Sequence, residues 1–297
     1  MGEGDHARDT SRGYLYAILG SVCGGSITTM TKFLLERSDP VVITGLGFAL
    51  SGLMLVIYQP RAKPAKGSIR YIVVFGLIGA LAAPLTYTYG LDETTAVNAA
   101  LLANGEILFT TVIAFSVFGE RLSRAQATRG LLIVAGIVVV STNLDLAHIQ
   151  FLQGLLGNVL ILGSTVGWAV ENNLIAVATR RFDVSSLSKF RNLIGGLILT
   201  AFAVAAGFSL AFTPFDTLIL VLLALAITGA TYMFMAALKR LGAIRMLLVW
   251  STSTVFGALF ALVFLGEQIT LGQLAGGACI LLGVYLFRSG EKPMFVP

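Results

Sequence analysis

The chain of 297 residues alternates long apolar runs with short polar segments. A helix that crosses about 30 Å of hydrocarbon needs roughly 20 apolar residues, and ten runs meet that length. We predict an all-α integral membrane protein with ten transmembrane helices. No connecting segment exceeds about a dozen residues, so we expect no separate soluble domain. The predicted spans are Gly13–Leu35, Val41–Tyr58, Ile69–Tyr89, Ala96–Phe118, Arg124–Thr142, Gly154–Ala178, Ser186–Phe208, Asp216–Leu238, Ala243–Phe264 and Leu271–Phe287.

The composition supports a membrane protein. Hydrophobic residues make up 56% of the chain and charged residues 12%, whereas a soluble domain carries about 25% charged residues. The basic residues are scattered between apolar runs, which argues against nucleic acid as a partner. Cys23 and Cys279 lie in apolar runs, while His6 and His148 lie outside them. We therefore expect neither a metal site nor a cofactor.

The basic residues between the runs predict the orientation. All Lys and Arg residues except Lys32 and Arg37 fall on one side when ten spans alternate. This assignment places Lys189 and Arg191 with the loop before the seventh span. The positive side is the cytoplasmic side, so both termini are predicted to be cytoplasmic. Residues 1–12 are interpreted as a cytosolic lead-in rather than a signal peptide, because no cleavage site follows the first apolar run.

A short motif occurs at the ends of the fourth and the ninth spans. Phe118–Ser123 reads FGERLS and Leu265–Thr270 reads LGEQIT. The ungapped match extends back to Ala96 and Ala243, so that each half contains five spans. Because five is odd, the second half enters the membrane from the opposite side, as in the inverted repeats of secondary transporters.

The repeat divides the chain into five segments. They are a cytoplasmic N-terminal segment (1–12), a first repeat (13–142), an external linker (143–153), a second repeat (154–288) and a cytoplasmic tail (289–297).

The two Gly-Glu pairs of the motif are interpreted mainly as structural. Glycine permits a tight turn, and a glutamate near the N-terminus of the following helix favours the positive end of the helix dipole. Ser123 and Thr270 are suitable N-caps for those helices. A role in gating is the alternative for the four residues Gly119, Glu120, Gly266 and Glu267.

Two five-helix repeats, in each of which Gly-Glu-x-(Leu/Ile)-(Ser/Thr) is followed by a glycine-spaced final helix, resemble the EamA repeats of the drug/metabolite transporter superfamily. The resemblance covers residues 13–288 and is strongest to the YddG-type exporters of aromatic and other amino acids in bacterial inner membranes. It implies a helical transporter with a central polar cavity. Repeats of the family often carry an adjacent tryptophan and glycine in their first helix. The second repeat of this chain keeps such a pair at Gly167-Trp168, whereas the first repeat has Cys23-Gly24-Gly25.

Polar residues near mid-span predict where such a cavity lies, because a polar side chain in a bilayer needs a partner or water. They concentrate in the first, third, fourth, sixth, eighth and ninth predicted spans, so we expect these spans to surround the cavity and the others to pack outside. In the repeat alignment, Glu106 matches Ser253 and Asn104 matches Ser251. The candidate substrate-binding residues are Glu106, Asn104, Trp168, Asn172, Tyr87, Thr28, Trp250, Ser253 and Tyr232.

Each acidic or aromatic candidate has two interpretations. Glu106 binds a substrate amine or carries a coupling proton, or else it is paired structurally with a neighbouring helix. Trp168 and Trp250 stack on an aromatic or cationic substrate, or only pack. Tyr87 belongs to the cavity mouth or to the aromatic belt at the membrane surface. Glu171 is expected closer to the cytoplasmic interface.

Three further polar or kinked positions are predicted from helix geometry. Asn172 is preferred over Asn173 because it shares a helix face with Trp168, four residues earlier. Pro84 permits a kink, which is either a gate or a tolerated bend. Lys32 is expected to extend toward water at the external end of its span.

Together these features predict a secondary transporter that exports small metabolites, foremost amino acids including aromatic ones, across the bacterial inner membrane by alternating access. No P-loop motif is present, so ATP is not expected to drive transport directly. The expected partners are a small-molecule substrate, the lipid bilayer and, as a coupling ion, protons; a monomer is compatible with the sequence. The alternatives are an integral membrane enzyme, for which no catalytic constellation is found, or a channel or scaffold for lipid-soluble or cationic small molecules.

Overall fold

A computed structural model describes residues 3–118, 124–142 and 154–287, and within these ranges the chain is helical with no strand. The helices are α1 (Glu3–Leu35), α2 (Pro40–Tyr58), α3 (Ile69–Leu77), α4 (Ala83–Asp92), α5 (Ala96–Leu102), α6 (Gly105–Phe118), α7 (Arg124–Thr142), α8 (Leu155–Ala178), α9 (Val184–Ala205), α10 (Pro214–Leu241), α11 (Ala243–Trp250), α12 (Thr252–Phe260) and α13 (Leu271–Phe287). The all-helical fold is confirmed. Gly119, Glu120, the linker 143–153 and the tail 289–297 lie outside the described residues.

Eight helical stretches of the described chain are long and apolar enough to cross a membrane. The apolar parts of α7 and α13 are shorter, Gly130–Thr142 and Leu271–Leu286. The count of ten spans therefore stays a prediction.

The helices begin where their sequences supply a cap. Asp39 accepts a hydrogen bond from the Val41 amide at 2.8 Å, with Pro40 as the first helical residue of α2. Thr213 does the same for the Asp216 amide at the start of α10. Such caps satisfy backbone N–H groups that the first turn leaves without helical partners. The predicted starts of these two spans are correct within two residues.

Three predicted spans are broken. The third span changes into a π-helical turn at Ile78–Ala82, directly before Pro84. The fourth is interrupted between α5 and α6, where the amides of Asn104 and Glu106 donate to carbonyls three residues back. The ninth is interrupted at Ser251. The kink near Pro84 was predicted, but the other two breaks were not.

The breaks of the fourth and ninth spans occupy matching positions of the two repeats, since Asn104 aligns with Ser251. They also touch each other: Asn104 Nδ2 donates to Thr254 Oγ1 at 2.5 Å, and Thr254 Oγ1 donates to the Ala100 carbonyl at 3.1 Å. A discontinuous helix from each half thus meets its counterpart deep inside the protein. Discontinuous helices of this kind form substrate sites in many transporters.

Two adjacent glycines let α9 approach two neighbours at once. A Cβ added to Gly196 would lie 2.1 Å from the Ala49 backbone nitrogen in α2, and one added to Gly195 would lie 2.5 Å from the Ala80 carbonyl carbon in the π-helical turn. A Cβ at either position would fit only if one of the two contacting backbones shifted. The glycines therefore set the depth at which the residues of α9 enter the bundle.

We predict that Gly196→Ala lowers stability by about 1–3 kcal/mol, the usual cost of overpacking a close contact. Thermal unfolding of the purified chain in detergent measures the change. The control is Gly163→Ala in α8, where the only side-chain atom near an added Cβ is Thr86 Cγ2 at 4.0 Å. Equal melting temperatures for the two variants would contradict the packing role of Gly196.

Candidate functional site

A cavity of about 200 Å³ lies between the helices at mid-depth. A cavity of about 150 Å³ is known to hold a benzene-sized molecule, so this one has room for a small organic solute. All six helices predicted from polar content contribute to its wall. The second and seventh predicted spans also contribute, through Thr44 and Phe48 of α2 and Arg191 of α9, which corrects the prediction that these spans pack outside.

Most of the predicted binding residues meet at this cavity. Those that line it are Thr28, Tyr87, Glu106, Trp168, Asn172, Trp250 and Ser253, and Pro84, predicted as a gate or a bend, lines it as well. Two predicted residues, Asn104 and Tyr232, do not. Asn104 uses its amide to join the broken helices, and the Tyr232 ring packs edge-on against Tyr16 with centroids 6.4 Å apart.

Glu106 lies in the first turn of α6, immediately after the break in the fourth span. Its side chain is buried, with the residue 8% exposed, and Asn172 Nδ2 donates to its Oε1 atom. Within the described part of the chain, Oε2 receives no hydrogen bond. Asn173 is turned away and donates to the carbonyls of Thr110 and Ala169, as the helix geometry predicts.

Two aromatic pairs form part of the wall. Tyr87 packs against Trp168 with centroids 5.4 Å apart and shares a 2.8 Å hydrogen bond with the hydroxyl of Thr28. Tyr87 is buried, so its placement in the cavity rather than in the aromatic belt follows. Trp250 packs edge-on against Phe234 with centroids 4.9 Å apart.

The unusual first-helix sequence makes room for one of these rings. A Cβ added to Gly24 would lie 2.9 Å from Trp250 Cη2. The ring from the second repeat therefore rests on the helix backbone where a larger side chain would exclude it. This contact accounts for the glycine at position 24.

Arg191 is the main site residue that sequence reasoning missed. It was assigned to a cytoplasmic loop, but it lies inside α9 and is only 7% exposed. Its Nε and Nη2 atoms bind both carboxylate oxygens of Glu171, the second at 2.9 Å. Glu171 is therefore not interfacial: it is 2% exposed and forms a bidentate ion pair at the cavity wall.

The π-helical turn supplies the third partner of Arg191. The Ala83 amide donates five residues back, to the Ile78 carbonyl; the next residue is Pro84, which has no N–H, so the Gly79 carbonyl lacks the corresponding donor. Arg191 Nη2 donates to that carbonyl at 2.6 Å. A signal was available in the sequence, because a buried glutamate in one predicted span calls for a cation in another.

Two lysines within the helices, Lys189 and Lys32, also bind backbone carbonyls. Lys189 in α9 is buried and donates to the carbonyls of Gln59 and Ala62 beyond the end of α2. Lys32 donates to the Leu91 carbonyl at 2.8 Å and to the next one at 3.1 Å, at the end of α4. Cations at helix C-termini stabilise the last carbonyls. Lys189 therefore belongs to the folded bundle rather than to a loop.

The Gly-Glu pair of the second repeat has a different role from the one predicted. Gly266 adopts a left-handed conformation with φ of 67°, as a tight turn requires. Glu267, however, accepts hydrogen bonds from the amides of Ala96 and Val97 at 2.8 and 2.9 Å. It caps α5 of the first repeat and not the helix that follows it.

The following helix, α13, has a cap of its own. Thr270 accepts from the Gln273 amide at 3.1 Å, and Gln273 Oε1 accepts from the Thr270 amide at 2.9 Å. This reciprocal arrangement is a capping box, so the prediction that Thr270 is an N-cap is confirmed. Gln273 also donates to Asn98 at 2.8 Å, which adds a second contact between the repeats at the start of α5.

Among the described residues, no group of three or more His, Cys, Asp and Glu side chains is placed to hold a metal ion. The polar groups at the cavity wall are instead one carboxylate, one ion pair, amides and hydroxyls. Long apolar helices that surround such a cavity, with broken helices at its wall, define a multi-pass membrane protein of the transporter class.

The chain belongs to the EamA-like transporter family, whose sequence profile matches residues 11–142 and again 155–289. It is 25% identical to an uncharacterized transporter of Methanothermobacter thermautotrophicus, over 94% of this chain and 87% of the relative. It is 29% identical to a probable amino-acid metabolite efflux pump of Salmonella typhimurium, over 91% and 92%. A solved crystal structure with 17% identity shares the fold, with a TM-score of 0.66 over 95% of this chain and 97% of that one.

We predict that Glu267→Ala removes the acceptors of the first two amides of α5, leaves the Thr95 cap in place, and costs about 0.5–2 kcal/mol, as the loss of a side-chain N-cap does. Hydrogen exchange should accelerate at the amides of Ala96 and Val97. The control is Glu93→Ala, which removes an exposed carboxylate near the same helix. Unchanged exchange at both amides in Glu267→Ala would show that the cap contributes nothing.

We also predict strong coupling between Arg191 and Glu171. Arg191→Met alone leaves a buried carboxylate unpaired and should destabilise the protein by about 3–5 kcal/mol. Adding Glu171→Gln removes that charge and should restore part of the loss. Unfolding of the two single variants and the double variant measures the coupling; additive effects would show that the pair contributes no interaction.

Proposed function

We propose that the protein is a secondary transporter that exports small amine-bearing metabolites, amino acids including aromatic ones among them, across the bacterial inner membrane. The observation that carries this proposal is the position of Glu106. It is a buried carboxylate on the cavity wall, at the break of a discontinuous helix, with one oxygen open to a ligand. Carboxylates within membrane spans commonly mark substrate or ion pathways.

The proposed topology is ten spans in two inverted repeats of five, 13–142 and 154–288, with both termini cytoplasmic. In this topology α7 and α13 cross the membrane as the last span of each repeat. They pack closely against each other, and a Cβ added to Gly136 would lie 2.6 Å from the Gly276 carbonyl. The double match of the family profile and the aligned breaks at Asn104 and Ser251 support this arrangement.

Alternating access requires the halves to move around a fixed site. The contact of Asn104 with Thr254 joins the broken helices of the two halves beside the cavity. Short helical segments on either side of each break can tilt with less rearrangement than a continuous helix. We propose that these breaks are the hinges of the transport cycle, with Pro84 and the adjacent π-helical turn as a further flexible element.

The aromatic wall supports aromatic substrates. Trp168 and Tyr87 on one side and Trp250 with Phe234 on the other offer flat surfaces to a ring or an ammonium group. A relative in Salmonella typhimurium is named a probable amino-acid metabolite efflux pump. We propose that this chain also resembles the YddG-type exporters in transporting aromatic amino acids. We further propose that Glu106 binds protons as well as the substrate.

We predict that Glu106→Gln reduces amine exchange by about tenfold or more, because the neutral amide keeps the bond from Asn172 and loses the charge that attracts an ammonium group. The measurement is exchange of radiolabelled phenylalanine in proteoliposomes, with and without a pH gradient. Loss of the pH-driven flux alone, with exchange retained, would assign Glu106 to proton transport instead.

The matched control is Glu36→Gln, which changes an exposed glutamate outside the cavity. This variant should exchange substrate at the rate of the unmodified protein. If Glu106→Gln matches it with and without the pH gradient, Glu106 has no essential role in transport.

A further inference from the structure

The cavity wall carries more acidic than basic side chains. Two carboxylates, Glu106 and Glu171, and one guanidinium, Arg191, line the cavity over the described residues. The bidentate pair of Arg191 with Glu171 is electrically neutral as a unit. When all three groups are ionised, the cavity therefore carries one uncompensated negative charge, on Glu106.

Arg191 has little capacity left for a ligand. A guanidinium has five N–H donors, and four are engaged: two with Glu171, one with the Gly79 carbonyl and one with Asn192 Oδ1 at 2.8 Å. One face of the group also lies over the Phe48 ring, 5.7 Å from its centroid. One N–H is left, so a ligand carboxylate could accept a single hydrogen bond from Arg191 but would have to displace a buried partner to bind it in a bidentate way.

Three hydroxyl groups on the cavity wall are also committed to protein acceptors. Thr44 donates to Thr88 at 2.9 Å, Thr88 donates to the Pro84 carbonyl at 2.9 Å, and Thr254 donates to the Ala100 carbonyl at 3.1 Å. These side chains present acceptor lone pairs to the cavity rather than free protons. Acceptors favour a ligand that brings its own N–H donors.

We infer that, among amine-bearing solutes, the cavity selects aromatic monocations that carry no carboxylate, such as arylalkylamines and carboxyl-masked amino acid derivatives. The ammonium group binds Glu106 Oε2, and the ring lies against the tryptophans. A zwitterion of the same shape brings a carboxylate that finds no free cation and is repelled by Glu106. This inference rests on the proposed function and narrows its substrate class: amines without a carboxylate are the preferred ligands, and free amino acids are the weaker ones.

The protein carries a built-in reporter for this test. The chain has two tryptophans, Trp168 and Trp250, and both line the cavity. Quenching of tryptophan fluorescence in the purified full chain therefore reports on the cavity directly. Four probes share one ring and differ in charge: phenethylamine, L-phenylalaninamide, L-phenylalanine and 3-phenylpropionate, compared near pH 6, where a free α-amine is charged.

We expect phenethylamine and L-phenylalaninamide to bind about tenfold or more tightly than L-phenylalanine, because an unpaired charge in a buried site is costly. We expect no binding of 3-phenylpropionate. Glu106→Gln should abolish the preference for the two cations, whereas Glu106→Asp, which keeps the charge, should retain it. Glu36→Gln, which changes an exposed glutamate outside the cavity, should bind all four probes as the unmodified protein does.

Three outcomes overturn the inference in distinguishable ways. If L-phenylalanine binds as tightly as its amide and is exchanged in a Glu106-dependent manner, the selectivity is wrong and the transporter proposal stands. If no probe quenches the fluorescence and none is exchanged in proteoliposomes, both proposals fail. Cation binding that survives Glu106→Gln removes Glu106 from the site.

Discussion

The bidentate contact between Arg191 and Glu171 is the interaction on which the cavity depends. An ion in a low-dielectric interior needs a partner of opposite charge and further hydrogen bonds to compensate for its lost hydration. Here Arg191 in α9 meets Glu171 in α8, and its remaining donors reach Gly79 and Asn192. One side chain thus joins two helices and a π-helical turn at the depth where the solute would bind.

The backbone groups at the helix breaks also need partners when they are buried. A broken helix exposes amide and carbonyl groups, which a membrane interior tolerates only where protein groups satisfy them. Pro84 frees a carbonyl that Arg191 takes up, and Glu267 binds the amides at the start of α5. The polar residues at mid-depth therefore serve two ends: some line the cavity, and others allow the helices around it to be discontinuous.

The sequence alone predicts the helical membrane fold, the doubled motif and seven of the residues on the cavity wall, because each depends on local pattern or on the cost of a polar group in a bilayer. It does not predict which polar residues face a helix break. Asn104 looks as eligible as Glu106, yet a two-residue offset turns its amide toward Thr254. Arg191 was not predicted as a site residue, because counting Lys and Arg residues to find the cytoplasmic side treats every cation near a span end as exposed to water.

The two repeats have helix breaks at matching positions, but only the first repeat places a charged side chain there. This difference connects the fold to transport. Glu106 matches Ser253 in the alignment, and both line the cavity beside the aligned breaks. A second glutamate at the matching position would place another uncompensated charge in the same small volume, at a further cost in desolvation and repulsion. One carboxylate in an otherwise neutral cavity needs one cation to balance it. A bound amine or a proton supplies that balance, so the occupied cavity is neutral, and a neutral cavity is the state in which the halves can close around their contents with the least electrostatic cost.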